Sequence, residues 1–203
     1  MPVTLRPASK ADVPECGRVC YEAFKTIAAR HGMHGVTLGP DEKVAGTLAT
    51  FRKEWAAAAE ERKCCASPVE SPFCGVMRAM FIADTDAEAE RVARAAYRRW
   101  FDALAWLWVE RGSFPPISIS GDYDQSSAAG TLVVGAPETV ARILIAQAGR
   151  IRHNYLVLLL AFGSLTHAQE MHSLALFASE VMPKLAALNE DATQPAPALA
   201  GVS

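Results

Sequence analysis

The sequence predicts an α/β domain whose strands pair in parallel. Short apolar runs alternate with stretches of helical period along most of the chain. The run Tyr155–Phe162 is apolar on both faces, the pattern of a strand covered on both sides in a parallel sheet. Runs at 76–82, 131–134 and 154–162 each end in capping or turn residues: Asp84-Thr85-Asp86, Gly135-Ala136-Pro137 and Gly163-Ser164.

Val3-Thr4-Leu5-Arg6 reads as a first strand, closed by Pro7. Ser9 can cap a helix with Asp12 three residues on, and Val13, Cys16, Cys20, Phe24 and Ile27 fall on one of its faces. The segment 32–40 holds three glycines and a proline and reads as a break. A helix over 41–62 is expected next, capped by Asp41, with Val44, Leu48, Phe51 and Trp55 as its stripe. Residues 63–74 read as loop and 76–82 as strand, apolar except for Arg78. The following helix runs to about Arg111, with Val92, Ala96, Trp100, Leu104, Leu107 and Trp108 on one side. Residues 112–130 read as irregular. Thr131–Val134 is a strand, and Pro137 opens a helix striped by Val140, Ile143, Leu144, Ala148 and Ile151. After the strand 154–162 a last helix spans about His167–Leu188, loosened near Pro183, and an Ala/Pro-rich disordered tail is expected over 189–203.

Composition excludes several classes. The chain has 203 residues, 20 Lys+Arg against 22 Asp+Glu, and a formal charge of -2, so it lacks the basic surplus of a nucleic-acid binder. No apolar run approaches the length of a membrane span. The five cysteines, Cys16, Cys20, Cys64, Cys65 and Cys74, are odd in number and lack metal-ligand spacing, so no metal is expected. With no apolar leader at the N-terminus, the thiols are expected to be reduced and the protein cytoplasmic.

Four segments carry a family likeness: Phe81-Ile-Ala-Asp-Thr-Asp-Ala-Glu-Ala89, Val134-Gly-Ala-Pro-Glu-Thr-Val-Ala141, Asn154-Tyr-Leu-Val-Leu-Leu-Leu-Ala-Phe-Gly163 and Ser173-Leu-Ala-Leu-Phe-Ala-Ser-Glu-Val-Met-Pro183. In this order, residues 41–188 resemble the C-terminal half of luciferase-like flavin-dependent monooxygenases. The resemblance implies half of a TIM barrel, FMN or a deazaflavin as cofactor, and oxygenation of a small organic substrate. A closed barrel of this kind takes roughly 250 residues, so the resemblance also implies an incomplete barrel. Its activity alone is in doubt, and it could bind no cofactor by itself. A homodimer, or a partner supplying the missing half-barrel, would cover it. Residues 2–33 are similar to the opening β-strand and helix of GNAT-type acetyltransferases, through Val3-Thr-Leu-Arg-Pro-Ala-Ser-Lys-Ala-Asp-Val13 and Cys20-Tyr-Glu-Ala-Phe24. That family's pyrophosphate-binding glycine loop has no match here. The domain division expected is therefore 1–33, a Gly-rich junction 34–40, and 41–188.

Active sites of parallel barrels lie at the C-terminal ends of the strands. Phe162, Gly163 and Ser164 are thus the candidate cofactor-binding residues, against the alternative that Gly163 only makes a turn. His167, at the start of a helix near that end, is the candidate catalytic residue. His153 is expected at the opposite end, and His172 on a different helix face from His167. Asp84-Thr85-Asp86 is read as a helix cap. Gly135–Glu138 could bind an anion through free N–H groups, but Pro137 removes a donor and Glu138 repels.

Overall fold

A computed structural model of the chain describes residues 9, 27–64, 69–113 and 119–193. The expected strand 3–6, most of the first helix and the tail from 194 onward lie outside the described residues. The elements in order are β1 (Gly35–Thr37), α1 (Asp41–Ala57), α2 (Ala59–Arg62), β2 (Cys74–Ile82), α3 (Asp86–Glu110), α4 (Tyr123–Ala128), β3 (Leu132–Gly135), α5 (Pro137–Ile151), β4 (Tyr155–Leu159), α6 (His167–Leu176) and α7 (Met182–Thr193). A π-helical turn over Phe177–Val181 joins α6 to α7.

The strands are parallel, as expected, and β2 is the centre of the sheet. Gly35 N–H donates to Phe73 C=O, Ala79 N–H to Thr131 C=O and Ala83 N–H to Gly135 C=O. Odd-numbered backbone groups of β2 therefore serve β1 and β3, which lie end to end along one side. Even-numbered groups face β4, where Asn154 N–H donates to Cys74 C=O. Beyond the end of β4, the buried Ser173 hydroxyl takes over and accepts from Ile82 N–H at 2.9 Å.

Side chains of β2 divide between two cores. Odd positions Ala79 and Phe81, with Ala83 beyond the strand, pack against Ala89, Ala93, Ala96 and Tyr97 of α3. Even positions Met80 and Ile82 meet Val140 and Leu144 of α5 and Phe177 and Val181 of the π turn, while Val76 meets Val44, Leu48, Phe51 and Trp55 of α1. The step from β2 to β3 goes one way across the sheet, and the steps β1 to β2 and β3 to β4 go the other. Crossovers of one hand must then place α3 on one face and α1 and α5 on the other. In its coarser form this agrees with the expectation of part of a barrel. The parallel strands and long helices of part of a barrel are present, but the described sheet is open, β4 pairs with β2, and helices cover both faces.

Other differences have local causes. The segment read as a break contains β1, whose three residues are too few to show a period. Its neighbour Ala29 is buried in the α1 core. Asp41 is not the cap of α1: Pro40 holds that position, and Asp41 is the first helical residue, turned inward. The expected helix 41–62 is broken at Ala58. The buried stripe of α3 is Ala89, Ala93, Ala96, Tyr97 and Ala105 rather than the larger residues, because alanines let the helix axis approach the sheet. Leu107 and Trp108 face solvent. The irregular 112–130 contains α4, capped by Asp122, whose side chain accepts from Gln125 N–H at 2.8 Å. Strand β4 ends at Leu159 and is only half-buried, because it is an edge. The expected loosening near Pro183 is the π turn, which widens the helix just before a residue that cannot donate a hydrogen bond. The helix then continues through Thr193, past the expected limit at Leu188.

Arg78 lies at the middle of β2 on the even face and is fully buried. Its guanidinium donates to Asp41 Oδ1 at 2.7 Å, Gly39 C=O at 3.2 Å, Met77 C=O at 2.9 Å and Gln147 Oε1 at 3.3 Å. Arg150 reaches the other oxygen of Asp41, and Gln147 Nε2 donates to Gly130 C=O at 2.9 Å. Burial pushes the Arg78 guanidinium below its ordinary value, with Asp41 opposing that shift. Asp41→Ala is expected to cost about 3–5 kcal/mol, because it strands a buried charge. Adding Arg78→Met to it is expected to recover part of that loss; urea midpoints of the single and double variants make the comparison.

Candidate functional site at the C-terminal end of the sheet

The C-terminal ends of β2, β3 and β4 bring together three turns. After β2, Thr85 caps α3 by accepting from Glu88 N–H at 3.2 Å. That leaves Asp84 and Asp86 free for other partners. Asp86 spans to the next turn: its Oδ1 accepts from Ala136 N–H at 2.7 Å and its Oδ2 from the Thr139 hydroxyl at 3.0 Å. A carboxylate of the chain itself thus occupies the N-terminus of α5, where an external anion would bind. The anion site considered over Gly135–Glu138 is filled from within.

Asp84 reaches the other way. Its Oδ1 lies 2.9 Å from His172 Nε2 on α6, and both side chains are solvent-exposed. An imidazole held by a carboxylate at a strand's C-terminal end can take up or release a proton toward a group bound there. His172 is one residue before Ser173, whose hydroxyl anchors α6 to Ile82, so the dyad rests on a buried support.

The expected cofactor residues occupy the turn after β4. Phe162 is buried in the odd-face core, edge-on to Tyr97 with ring centroids 6.2 Å apart. Gly163 has φ 62°, and a Cβ there would fall 1.8 Å from the Ala96 carbonyl oxygen of α3. No other residue fits that contact. Ser164 is exposed. Phe162 and Gly163 therefore close the loop onto α3, and only Ser164 of the three faces outward. His167 is exposed at the first position of α6, which Thr166 and Gln169 cap reciprocally. The dyad partner is His172 rather than His167. Asp84 and His172 are 88 residues apart, and no local spacing could have paired them.

His153 lies at the other end of the sheet, as expected. Its Nδ1 is buried without a hydrogen-bond partner. Burial, and the nearby Arg78 charge, pull its pKa below the ordinary histidine value. Cys64 is exposed and Cys74 buried in the α1 core, both as free thiols. Cys16, Cys20 and Cys65 lie outside the described residues. Among the described residues no cluster of His, Cys, Asp and Glu could hold a metal, and no helix is long and apolar enough to cross a membrane.

No protein-family model matches the sequence. The chain is 24% identical, over 185 residues, to the uncharacterized protein y4wF of Sinorhizobium fredii (strain NBRC 101917 / NGR234), covering 91% of this chain and 52% of that protein. An alignment of that extent takes in residues on both sides of 34–40. Among solved structures, the monooxygenase RslO1 from Streptomyces bottropensis matches with a TM-score of 0.62 at 23% identity, over 79% of this chain and 44% of that one. The oxygenating constituent of 3,6-diketocamphane monooxygenase from Pseudomonas putida, a type II Baeyer-Villiger monooxygenase in complex with FMN, matches at 0.54 and 20%, over 79% and 45%. Flavoprotein 390 matches at 0.51 and 12%, over 86% and 66%. The chain spans about half the length of the first three of these relatives. At these identities the structural likeness establishes the fold.

Two outcomes follow for this region. Asp86→Ala is expected to cost about 1–2 kcal/mol by leaving the Ala136 N–H without its acceptor, read as a lower urea midpoint. His153 binds its proton less tightly folded than unfolded, so the unfolded chain takes up protons first as pH falls. Stability is then expected to drop as pH falls below about 6.5. The difference in urea midpoint between pH 7.5 and pH 5 should shrink in His153→Gln.

Proposed function

We propose that this chain is a luciferase-like flavin-dependent monooxygenase homologue, with an incomplete barrel that does not turn over on its own. What supports the reading is the parallel α/β architecture shared with about 44–45% of two monooxygenase chains, one of them in complex with FMN. FMN or a deazaflavin is the cofactor class that goes with this reading, and a small organic molecule the substrate class. Reduced flavin supplies such enzymes with the electrons that activate O2.

The described residues do not make a flavin cradle by themselves. Asp86 takes the Ala136 N–H at the start of α5, and a flavin phosphate placed there would have to displace that carboxylate. Phe162 and Gly163 are committed to packing against α3. What the chain does offer at this end is the exposed Asp84–His172 pair, with Ser164 on the neighbouring turn. In this reading His172 holds or passes a proton while Asp84 orients its ring, and the remaining walls of the pocket come from another chain. A non-catalytic binding module is the second reading, favoured by the same internal filling of the anion position. An acetyltransferase-like role for residues 2–33 rests on those residues alone, and they lie outside the described ones except for Ser9 and 27–33.

Titration of FMN into the purified chain, followed by flavin fluorescence, tests this directly. Saturable quenching at micromolar FMN supports the flavin reading; no binding of FMN, with a clean dimer by sedimentation, overturns it in favour of the binding module. Saturable binding of acetyl-CoA in a parallel titration would overturn the flavin family in favour of the acetyltransferase one.

A further inference from the structure

We propose that the groove between α5, β4 and α7 binds a single-chain carboxylate, its alkyl chain along the apolar wall and its head group on Arg152. The site lies at the N-terminal end of the sheet, opposite Asp84 and His172, and the inference does not depend on the flavin reading.

The groove has a volume of about 700 Å³, within the range of small-molecule sites. Ile145 and Ala148 of α5, Leu156 of β4 and Leu185 of α7 give it an apolar wall, and Arg152 and His153, in the turn between α5 and β4, line it as well. A Cβ built on Gly149 would meet nothing within 4 Å, so this side of α5 is open. None of the described residues that line the groove is acidic.

Arg152 selects the occupant. Its φ of 58° is the only positive value at a non-glycine among the described residues. A helix that ends in this conformation commonly does so on glycine, because a Cβ is costly there. Capping does not account for the arginine, since the carbonyls of Ile151 and Arg152 accept from Arg52 instead. Among the described residues the exposed Arg152 guanidinium has no hydrogen-bond or ion-pair partner. The polar groups around it are committed: Arg150 to Asp41, Arg52 to those carbonyls, and the Asn154 amide to Cys74 N–H and Pro72 C=O. One free guanidinium beside an apolar wall matches one carboxylate, which it can hold through two parallel N–H···O bonds. A dianionic phosphate would ask for a second free cation, and a neutral lipid would leave the guanidinium unused. Beside it, His153 Nδ1 is buried without a partner, a second sign that a polar group belongs in this corner.

Calorimetric titration of the intact chain with sodium decanoate, kept below the concentration at which it forms micelles, tests the proposal. Saturable one-to-one binding is expected, with decanol about tenfold or more weaker because it lacks the charge. Arg152→Gly removes the guanidinium and suits the backbone at this position. That variant is expected to keep or raise its urea midpoint while its decanoate affinity falls to that of decanol. Arg152→Asn, which also tolerates this conformation, is expected to lose decanoate in the same way. No saturable binding of decanoate to the unaltered chain overturns the proposal. So does equal affinity for decanoate and decanol, or an Arg152→Gly variant that binds decanoate as tightly as the unaltered chain. Either would mean that the acid sits on apolar surface alone.

Discussion

The buried ion pair between Arg78 and Asp41 ties β2, α1 and α5 together at one point. Arg78 rises from the middle of β2, Asp41 begins α1, and Gln147 and Arg150 belong to α5. The carboxylate also determines the backbone nearby. A Cβ at Gly130 would fall 2.3 Å from Asp41 Oδ1, and Gly130 has φ 77°, so the turn leading into β3 is shaped around that side chain. A guanidinium in an otherwise apolar strand is costly, and each of its bonds offsets part of that cost only while all the partners stay in place. The network therefore specifies where α1 and α5 sit on the even face more than it adds net stability.

With that face organised, the other follows from strand order. Because β4 returns to the far side of β2 instead of continuing past β3, α3 must cross the opposite face. Its alanine stripe lets it settle closely there, to the point that Gly163 touches the Ala96 carbonyl oxygen. Among the described residues, the same choice of order leaves β4 at the edge of the sheet.

The C-terminal end of the sheet shows how capping and chemistry compete for the same residue types. In Asp84-Thr85-Asp86, Thr85 alone performs the capping read from the sequence. Asp86 satisfies the start of α5, and Asp84 is left to hold His172. Such a division cannot be read from the tripeptide, because the partners lie 50 and 88 residues away. The turn Phe162-Gly163-Ser164 makes the converse point. Its position at a strand end marked it as a candidate site, yet two of its three residues are consumed in packing against α3.

Local structure was largely legible in the residues. Apolar periods located α1, α3, α5 and α6, and the runs 76–82, 131–134 and 154–162 located three of the four described strands. Pro137 and the Thr85 cap marked where two helices begin. These features depend on neighbours within a few residues, so the sequence carries them by itself. The three-residue β1 and the six-residue α4 were not legible, being too short to show a period. Strand order, the covering of both faces, the inward turn of Asp41 and the pairing of Asp84 with His172 were decided only by the tertiary structure. Each depends on which distant groups come within hydrogen-bonding reach. A parallel sheet leaves that open until its crossovers have chosen their faces, because pattern and propensity are the same for a strand wherever it enters the sheet.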